Sequence, residues 1–122
     1  MKDNVIKEKS KKFAVRIINL FKYLRDEKKE FVLSKQILRS GTSIGANVRE
    51  SEHAQSNDDF IHKNNIALKE ANETEYWLEL LYETEFITEE QYQSIRADCS
   101  EICKILISII KTLKEKKKNK CN

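Results

Sequence analysis

The sequence predicts an all-α fold, a four-helix bundle, from three observations. The 122-residue chain has no proline and only two glycines, so it lacks the turn residues that a β-sandwich, a Rossmann fold or a P-loop requires. Lys, Glu, Ile and Leu dominate its composition, and these residues are mostly good helix formers. Apolar side chains recur at helical spacing in four segments. The length is that of one domain, which we assign to residues 1–122.

The first two helices are predicted at about residues 4–27 and 33–54. Helix 1 has an apolar stripe of Ile6, Phe13, Ile17, Leu20 and Leu24. The polar stretch 26–30 ends it. Helix 2 has a second stripe of Leu33, Ile37, Gly41, Ile44 and Val48, and Ser34 is a candidate N-cap.

The last two helices are predicted at about residues 57–84 and 89–114, each after a capping-box pattern. Ser56 and Asp59 have that spacing before helix 3, and Thr88 and Gln91 have it before helix 4. The stripe of helix 3 runs through Phe60, Asn64, Ala67, Ala71, Thr74, Leu78 and Leu81. The stripe of helix 4 runs through Ile95, Cys99, Ile102, Leu106, Ile109 and Leu113. Short connections make neighbouring helices antiparallel, so we expect an up-down-up-down order. The basic tail 115–122 is expected to fray.

Two glycines lie inside the predicted helix 2, where each costs about 1 kcal/mol relative to alanine. Gly41 and Gly45 are four residues apart and therefore lie on one side of the helix. Their missing side chains would let another backbone approach closely, so we predict a site of close helix packing.

Helices 1 and 4 are apolar on more than one side. The additional residues are Ala14, Ile18 and Phe21 in helix 1, and Cys103, Ile107 and Ile110 in helix 4. A second stripe indicates burial against another subunit, and we predict an oligomer interface at Ile18, Phe21, Cys103, Ile107 and Ile110. A wide core arc within one protomer is the alternative.

Charge is strongly segregated along the chain. Residues 1–49 carry thirteen basic and five acidic side chains, 50–103 carry three and fourteen, and 104–122 carry seven and one. Basic rows at helical spacing predict contacts with a nucleic-acid backbone through Lys9, Lys12, Arg16, Lys35, Arg39 and Arg49. The alternative is subunit assembly, in which this basic face meets the acidic row Glu75, Glu79 and Glu83 of a neighbouring copy.

No motif predicts catalysis, a metal or another cofactor. His53 and His62 are the only histidines, and the patterns Glu50-x-x-His53 and Asp59-x-x-His62 flank a connection, where they are expected to face solvent. Cys99 and Cys103 are interpreted as packed thiols. The sequence has neither a membrane-spanning run nor the apolar core of a signal peptide, so we predict a cytoplasmic protein without membrane contact.

Residues 36–81 resemble one known family in two motifs. These are Arg39–Val48, RSGTSIGANV, and Ile66–Ala71, IALKEA, the latter followed by Glu73-Thr74 and Tyr76-Trp77-Leu78. Both resemble the four helix bundle protein family, also called the bacterial ribosomal RNA intervening-sequence protein family. Ser51 departs mildly from it, since the family usually has Ala or Gly there. The resemblance implies a four-helix protomer in a ring-like homopentamer.

The same resemblance implies kinship with the accessory protein of diversity-generating retroelements, which binds nucleic acid and partners a reverse transcriptase. The prediction from residues and resemblance together is a non-enzymatic oligomer that binds nucleic acid, with structured RNA such as ribosomal RNA as the expected partner. The alternative is an interaction scaffold, for example for a reverse transcriptase, whose charged faces serve subunit assembly.

Overall fold

Four α-helices account for most of the chain in a computed structural model, which describes the backbone of residues 2–121 and the side chains of residues 5–119. They are α1 (Lys2–Asp26), α2 (Leu33–Ser51), α3 (Asn57–Glu83) and α4 (Glu89–Cys121). No strand occurs within residues 2–121. The prediction of an all-α chain with four helices is confirmed.

The apolar stripes of the four helices meet in one core. Almost every residue predicted in a stripe is buried, including the large side chains Phe13, Ile17, Leu24, Ile37, Ile44, Leu78, Leu81, Ile102 and Leu106. The exceptions are Leu33, Phe60 and Leu113, which are half-buried. Leu33 and Phe60 lie in the first turns of α2 and α3, and Leu113 lies near the end of the part of α4 that packs against the core. Helical periodicity therefore identifies the core correctly except where a stripe approaches the end of the bundle.

Each helix packs against its neighbours in the sequence, and α1 also packs against α4. Lys63 near the start of α3 lies 3.5 Å from Glu50 near the end of α2, while Arg39 near the start of α2 lies 2.6 Å from Glu73. Likewise, Lys7 at the start of α1 contacts Glu52, which follows α2.

Two polar side chains in the core hold the α2–α3 contact. The Thr74 hydroxyl donates to Ser40 Oγ at 2.9 Å, and both residues are fully buried. Thr74 Oγ1 also lies 2.8 Å from the carbonyl oxygen of Glu70. Asn64, also buried, donates from Nδ2 to the carbonyl oxygen of Phe60 at 2.9 Å. These polar groups are satisfied inside the bundle, which limits the cost of burying them.

The start of α2 differs from the prediction that Ser34 caps it. Glu30 lies before the helix, and its carboxylate accepts hydrogen bonds from the backbone N–H groups of Ser34 at 2.7 Å, Leu33 at 3.0 Å and Val32 at 3.2 Å. Ser34 is instead buried as the second residue of α2. The prediction was wrong because a longer side chain from outside the helix satisfies the free amides.

The starts of α3 and α4 agree with their capping patterns. Ser56 Oγ accepts from the Asp59 amide at 3.1 Å, while the Asp59 carboxylate accepts from the amide of Gln55 at 3.3 Å. At α4 the capping box is complete. Thr88 Oγ1 accepts from the Gln91 backbone amide at 3.1 Å, and Gln91 Oε1 accepts from the Thr88 backbone amide at 2.8 Å.

The predicted helix ends need three corrections. Helix α1 includes residues 2 and 3, and α2 ends at Ser51 rather than near residue 54. The expected fraying of 115–122 is wrong for the part that the structure describes, since α4 continues to Cys121. Lysine and glutamate are good helix formers, so this segment extends the helix without an apolar stripe. Its Lys117 forms an ion pair with Asp58 in the first turn of α3.

Two of the chain reversals use left-handed residues that are not glycine. Lys29, with φ 55°, follows α1, and Glu85, with φ 66°, follows α3. After α1 the Glu30 amide donates to the carbonyl oxygen of Leu24 at 2.9 Å, and after α3 the Phe86 amide donates to Leu81 at the same distance. These hydrogen bonds satisfy carbonyl groups in the last turns of α1 and α3 that have no partner within the helix.

None of the helices within residues 2–121 combines the length and the apolar character needed to cross a membrane.

Candidate nucleic-acid interface

A shallow cationic groove lies between α1 and α2. Its volume is about 340 Å³, and three of its eight lining residues are basic while none is acidic; they are Lys7, Ser10, Lys11, Ala14, Thr42, Gly45, Ala46 and Arg49. We call it the α1–α2 groove. It combines positive charge with a concave shape that a phosphate backbone could enter.

Small residues create this groove. A Cβ atom placed on Gly45 would lie 3.4 Å from the carbonyl oxygen of Ser10, so the backbones of α1 and α2 approach closely there. Gly41 lies one turn earlier, and a Cβ atom on it would lie 2.8 Å from the side chain of Ile17. The two glycines thus face α1 in different ways: Gly45 faces backbone, and Gly41 faces a buried side chain.

Three of the six basic residues predicted to bind nucleic acid are exposed without an ion pair among the described side chains. They are Lys12 on α1 and Lys35 and Arg49 on α2. Arg49 lines the α1–α2 groove, whereas Lys12 and Lys35 lie outside its lining. Of the six basic residues predicted to bind nucleic acid, Arg49 is therefore the one that lines the groove.

The other three predicted residues pair with acidic side chains of their own protomer. Lys9 Nζ lies 2.9 Å from Glu101, and this carboxylate raises the pKa of Lys9. Arg16 lies 2.8 Å from Asp98 and also donates to the side chain and the carbonyl group of Ser94. These two pairs join α1 to α4.

Arg39 is engaged more extensively than the other two. Its guanidinium lies 2.6 Å from Glu73 and 3.7 Å from Glu70, both on α3. Trp77 donates from Nε1 to the same Glu73 carboxylate at 3.3 Å. Part of the predicted basic rows is thus ion-paired within the protomer, because acidic residues of the middle of the chain pack beside them.

Lys7 and Lys11 are groove residues that the sequence analysis missed. Lys7 lies one turn before Lys11 on α1, and it also contacts Glu52 at 3.3 Å. Their i, i+4 spacing was a usable signal, because it places both on one face beside the small residues Ser10 and Ala14.

The apolar residues predicted at an oligomer interface divide into two groups. Cys103 and Ile110 are 8% and 6% exposed, so the protomer itself buries them, as the wide-arc alternative expected. Ile18 and Ile107 are 38% and 52% exposed, and Phe21 is half-buried beneath the guanidinium of Arg25. Only Ile18, Ile107 and part of Phe21 stay accessible to another molecule.

The histidines are not brought together into a site. His53 and His62 are both exposed, and the adjacent carboxylates have other contacts: Glu50 pairs with Lys63, and Asp59 accepts a backbone hydrogen bond. Cys99 and Cys103 are buried free thiols. They lie close to Glu75 of α3, a proximity that the sequence analysis did not anticipate.

Comparison with known proteins gives a family match over most of the chain. Residues 2–108 match the family described as 23S rRNA-intervening sequence protein. No curated protein matches the chain.

One solved structure is very similar in both sequence and fold. It is the crystal structure of a protein of unknown function from the S23 ribosomal protein family of Bacteroides thetaiotaomicron VPI-5482. The two chains are 74% identical, the TM-score is 0.90, and the match covers 91% of this chain and 99% of the other.

Proposed function

This chain belongs to the 23S rRNA-intervening sequence protein family, and from that membership we propose that it is a non-enzymatic protein that binds structured RNA, with ribosomal RNA as the expected ligand. The α1–α2 groove is the proposed contact surface. Such binding reads the shape and charge of the phosphate backbone rather than the sequence of bases.

The observation that carries this proposal is the charge of the groove. Lys11 and Arg49 lie on opposite walls, neither has an acidic partner among the described side chains, and no lining residue is acidic. Lys12 and Lys35 add exposed positive charge on the same two helices. Each cation that contacts a phosphate releases a counterion, so several modest contacts together give substantial affinity at low salt.

The proposed protomer is a single antiparallel up-down-up-down bundle that assembles into a homo-oligomer, with the pentamer implied by the family resemblance. The pairings Lys63–Glu50 and Arg39–Glu73 support the antiparallel order. The exposed apolar side chains of Ile18 and Ile107 support assembly, because they would otherwise remain in contact with water. Repetition of the groove around a ring would raise the affinity for a long RNA. We place this activity in the cytoplasm.

A salt titration tests the binding itself. The affinity of the full chain for a fragment of 23S rRNA, measured by fluorescence anisotropy, should fall linearly with salt on a double logarithmic plot. A slope near −2 to −4 is expected for about three to five phosphate contacts per site. Failure to bind at low salt, or binding that does not change with salt, would reject the proposal.

Charge reversal tests the surface. The variant Lys11→Glu/Arg49→Glu should lower the affinity at least about tenfold, because it replaces two phosphate contacts with repulsion. The matched control is Lys69→Glu/Lys104→Glu, which makes the same change of net charge on exposed positions of α3 and α4. Equal losses in the two variants would show that net charge alone, rather than the groove, determines binding.

A second function is favoured by the exposed Ile18 and Ile107. In this alternative the bundle is a scaffold whose apolar surface holds a partner protein such as a reverse transcriptase. A scaffold would keep its partner protein in Lys11→Glu/Arg49→Glu, the variant in which RNA binding is expected to be lost, so this variant separates the two functions.

A further inference from the structure

Two thiols and a carboxylate meet between α3 and α4, away from the α1–α2 groove. Cys99 and Cys103 lie one turn apart on α4, and Glu75 lies opposite them on α3. Their sulfur and oxygen atoms all lie within 4.8 Å of one another. The thiols come from one helix and the carboxylate from the other, so the cluster spans a helix–helix contact.

Further polar groups surround the cluster and orient its members. Ser100 donates from Oγ to Glu75 Oε1 at 3.0 Å, and the Cys99 thiol donates to the carbonyl oxygen of Ala71 at 3.4 Å. Asn72 Oδ1 lies 3.8 Å from Cys103 Sγ and supplies a fourth potential ligand atom. Hydrogen bonds from an outer shell hold ligands in place in protein metal sites.

The cluster is closed on the core side and open on the solvent side. Cys99 is 0% exposed and Cys103 is 8% exposed, while Glu75 is half-buried and Asn72 is exposed. An ion could therefore enter past Asn72 and Glu75 without unfolding the bundle. The cluster is thus shielded from water on its inner side and accessible to a small cation from its outer side.

Charge at the cluster favours a cation. Glu75 forms no salt bridge with any described side chain, so its negative charge is not neutralised locally.

We propose that Glu75, Cys99 and Cys103 form a site for one thiophilic divalent cation, Zn²⁺, with Asn72 or a water molecule as the fourth ligand. In tetrahedral zinc sites the Zn–S distance is about 2.3 Å and the Zn–O distance about 2.0–2.2 Å, which puts neighbouring ligand atoms roughly 3.3–3.8 Å apart. The present spacing needs only small rotations of side chains. Binding releases the two thiol protons to solvent and leaves two thiolates and one carboxylate around the ion.

Cobalt titration of the reduced full chain tests the site. We expect one Co²⁺ per chain, with a sulfur-to-cobalt charge-transfer band, the visible bands of tetrahedral cobalt, and loss of both when Zn²⁺ is added. Saturating Zn²⁺ should also raise the midpoint of thermal unfolding by at least about 5 °C, because the ion binds only the folded arrangement.

Variants at the cluster locate the ion. Cys103→Ser should abolish the charge-transfer band, and Glu75→Gln should weaken binding at least about tenfold. Glu79→Gln is the matched control, because it removes an exposed carboxylate one turn further along α3. Cys121→Ser controls for the third thiol. Both controls should bind cobalt like the unaltered chain.

Three results would overturn the proposal. One is an absence of thiolate bands in the reduced protein, which would leave Cys99 and Cys103 as hydrogen-bonded packing residues. Another is an unchanged spectrum in Cys103→Ser while circular dichroism shows the fold intact. The third is loss of the bands in Cys121→Ser, which would place the ion at that cysteine instead.

Discussion

Ile17 of α1 fills the space that the absent side chain of Gly41 leaves on α2. The Ile17 side chain is fully buried, and its Cγ1 and Cγ2 atoms would both lie 2.8 Å from a Cβ atom on Gly41. At Gly45 the nearest atom would be the Ser10 carbonyl oxygen at 3.4 Å, which is close to ordinary contact. The same substitution therefore has different consequences at two positions four residues apart.

We expect Gly41→Ala to destabilise the protein by about 1 kcal/mol, because overpacking costs about 1–3 kcal/mol and the helix gains about 1 kcal/mol. Gly45→Ala should be neutral or stabilise by up to about 1 kcal/mol, because the gain in helix propensity meets little steric opposition. Urea denaturation measures both values.

A double variant identifies the atoms responsible. In an Ile17→Ala background, Gly41→Ala should no longer destabilise, since the two clashing carbons are gone. Equal effects of the two glycine substitutions on the free energy of unfolding would contradict this account.

Ion pairing is the residue-scale property that the sequence predicted least well. Lys9, Arg16 and Arg39 stand in basic rows, and each row by itself suits a phosphate backbone. The neutralising partners are 31 to 92 residues away in the sequence and become neighbours only when the helices pack. Charge periodicity shows which face a residue occupies, but not which helix covers that face.

At the scale of the element, the start of α2 depends on a single carboxylate. Glu30 accepts from three successive backbone amides before the first complete helical turn. Its negative charge also interacts favourably with the positive end of the α2 dipole. No side chain within α2 makes an equivalent cap, because Val32 occupies the N-cap position.

We therefore expect Glu30→Ala to destabilise the protein by about 1–2 kcal/mol, the usual cost of losing an N-terminal cap. Hydrogen exchange should speed up first at the amides of residues 32–34. Glu27→Ala is the control, because it removes an exposed carboxylate three residues earlier that makes no described hydrogen bond. A loss of stability as large in the control as in Glu30→Ala would argue against a capping role.

Helix starts were predictable where the capping residue lies at the helix itself, as at Ser56 and Thr88. The start of α2 was mispredicted because Glu30 reaches it across the connection. The ends were harder still: Lys29 and Glu85 adopt left-handed backbone conformations that usually attract glycine, and the sequence has no glycine there. Apolar periodicity thus locates the body of each helix better than its limits.

At the scale of the whole molecule, exposed apolar side chains mark where another copy could bind. Ile107 on α4 lies in a groove beside Leu68 and Ile110, and Ile18 lies on α1. Two different faces that each repeat around a ring would close a heterologous assembly. The sequence analysis assigned both residues to an oligomer interface because they lie off the core stripe. It could not distinguish them from Cys103 and Ile110, because the width of the buried core depends on how the helices cross.

Ile107→Glu should convert the proposed assembly into monomers, because it places a charge in an apolar contact. Light scattering after size exclusion should then give the 14.4 kDa of a single chain. Val32→Glu is the control, since Val32 is 69% exposed in the connection before α2. A wild-type chain that is already monomeric, or an equal effect of the two variants, would contradict the proposed assembly.

The length of α4 has a consequence for any closed ring of this protein. Its 33 residues span about 50 Å, whereas the 19 residues of α2 span about 29 Å. Cyclic symmetry turns every copy the same way up, so the exposed Lys114, Lys116 and Lys118 in the last turns of α4 would all lie near one rim. The two openings of such a ring would differ in charge, and a polyanion would approach it from the lysine-rich side.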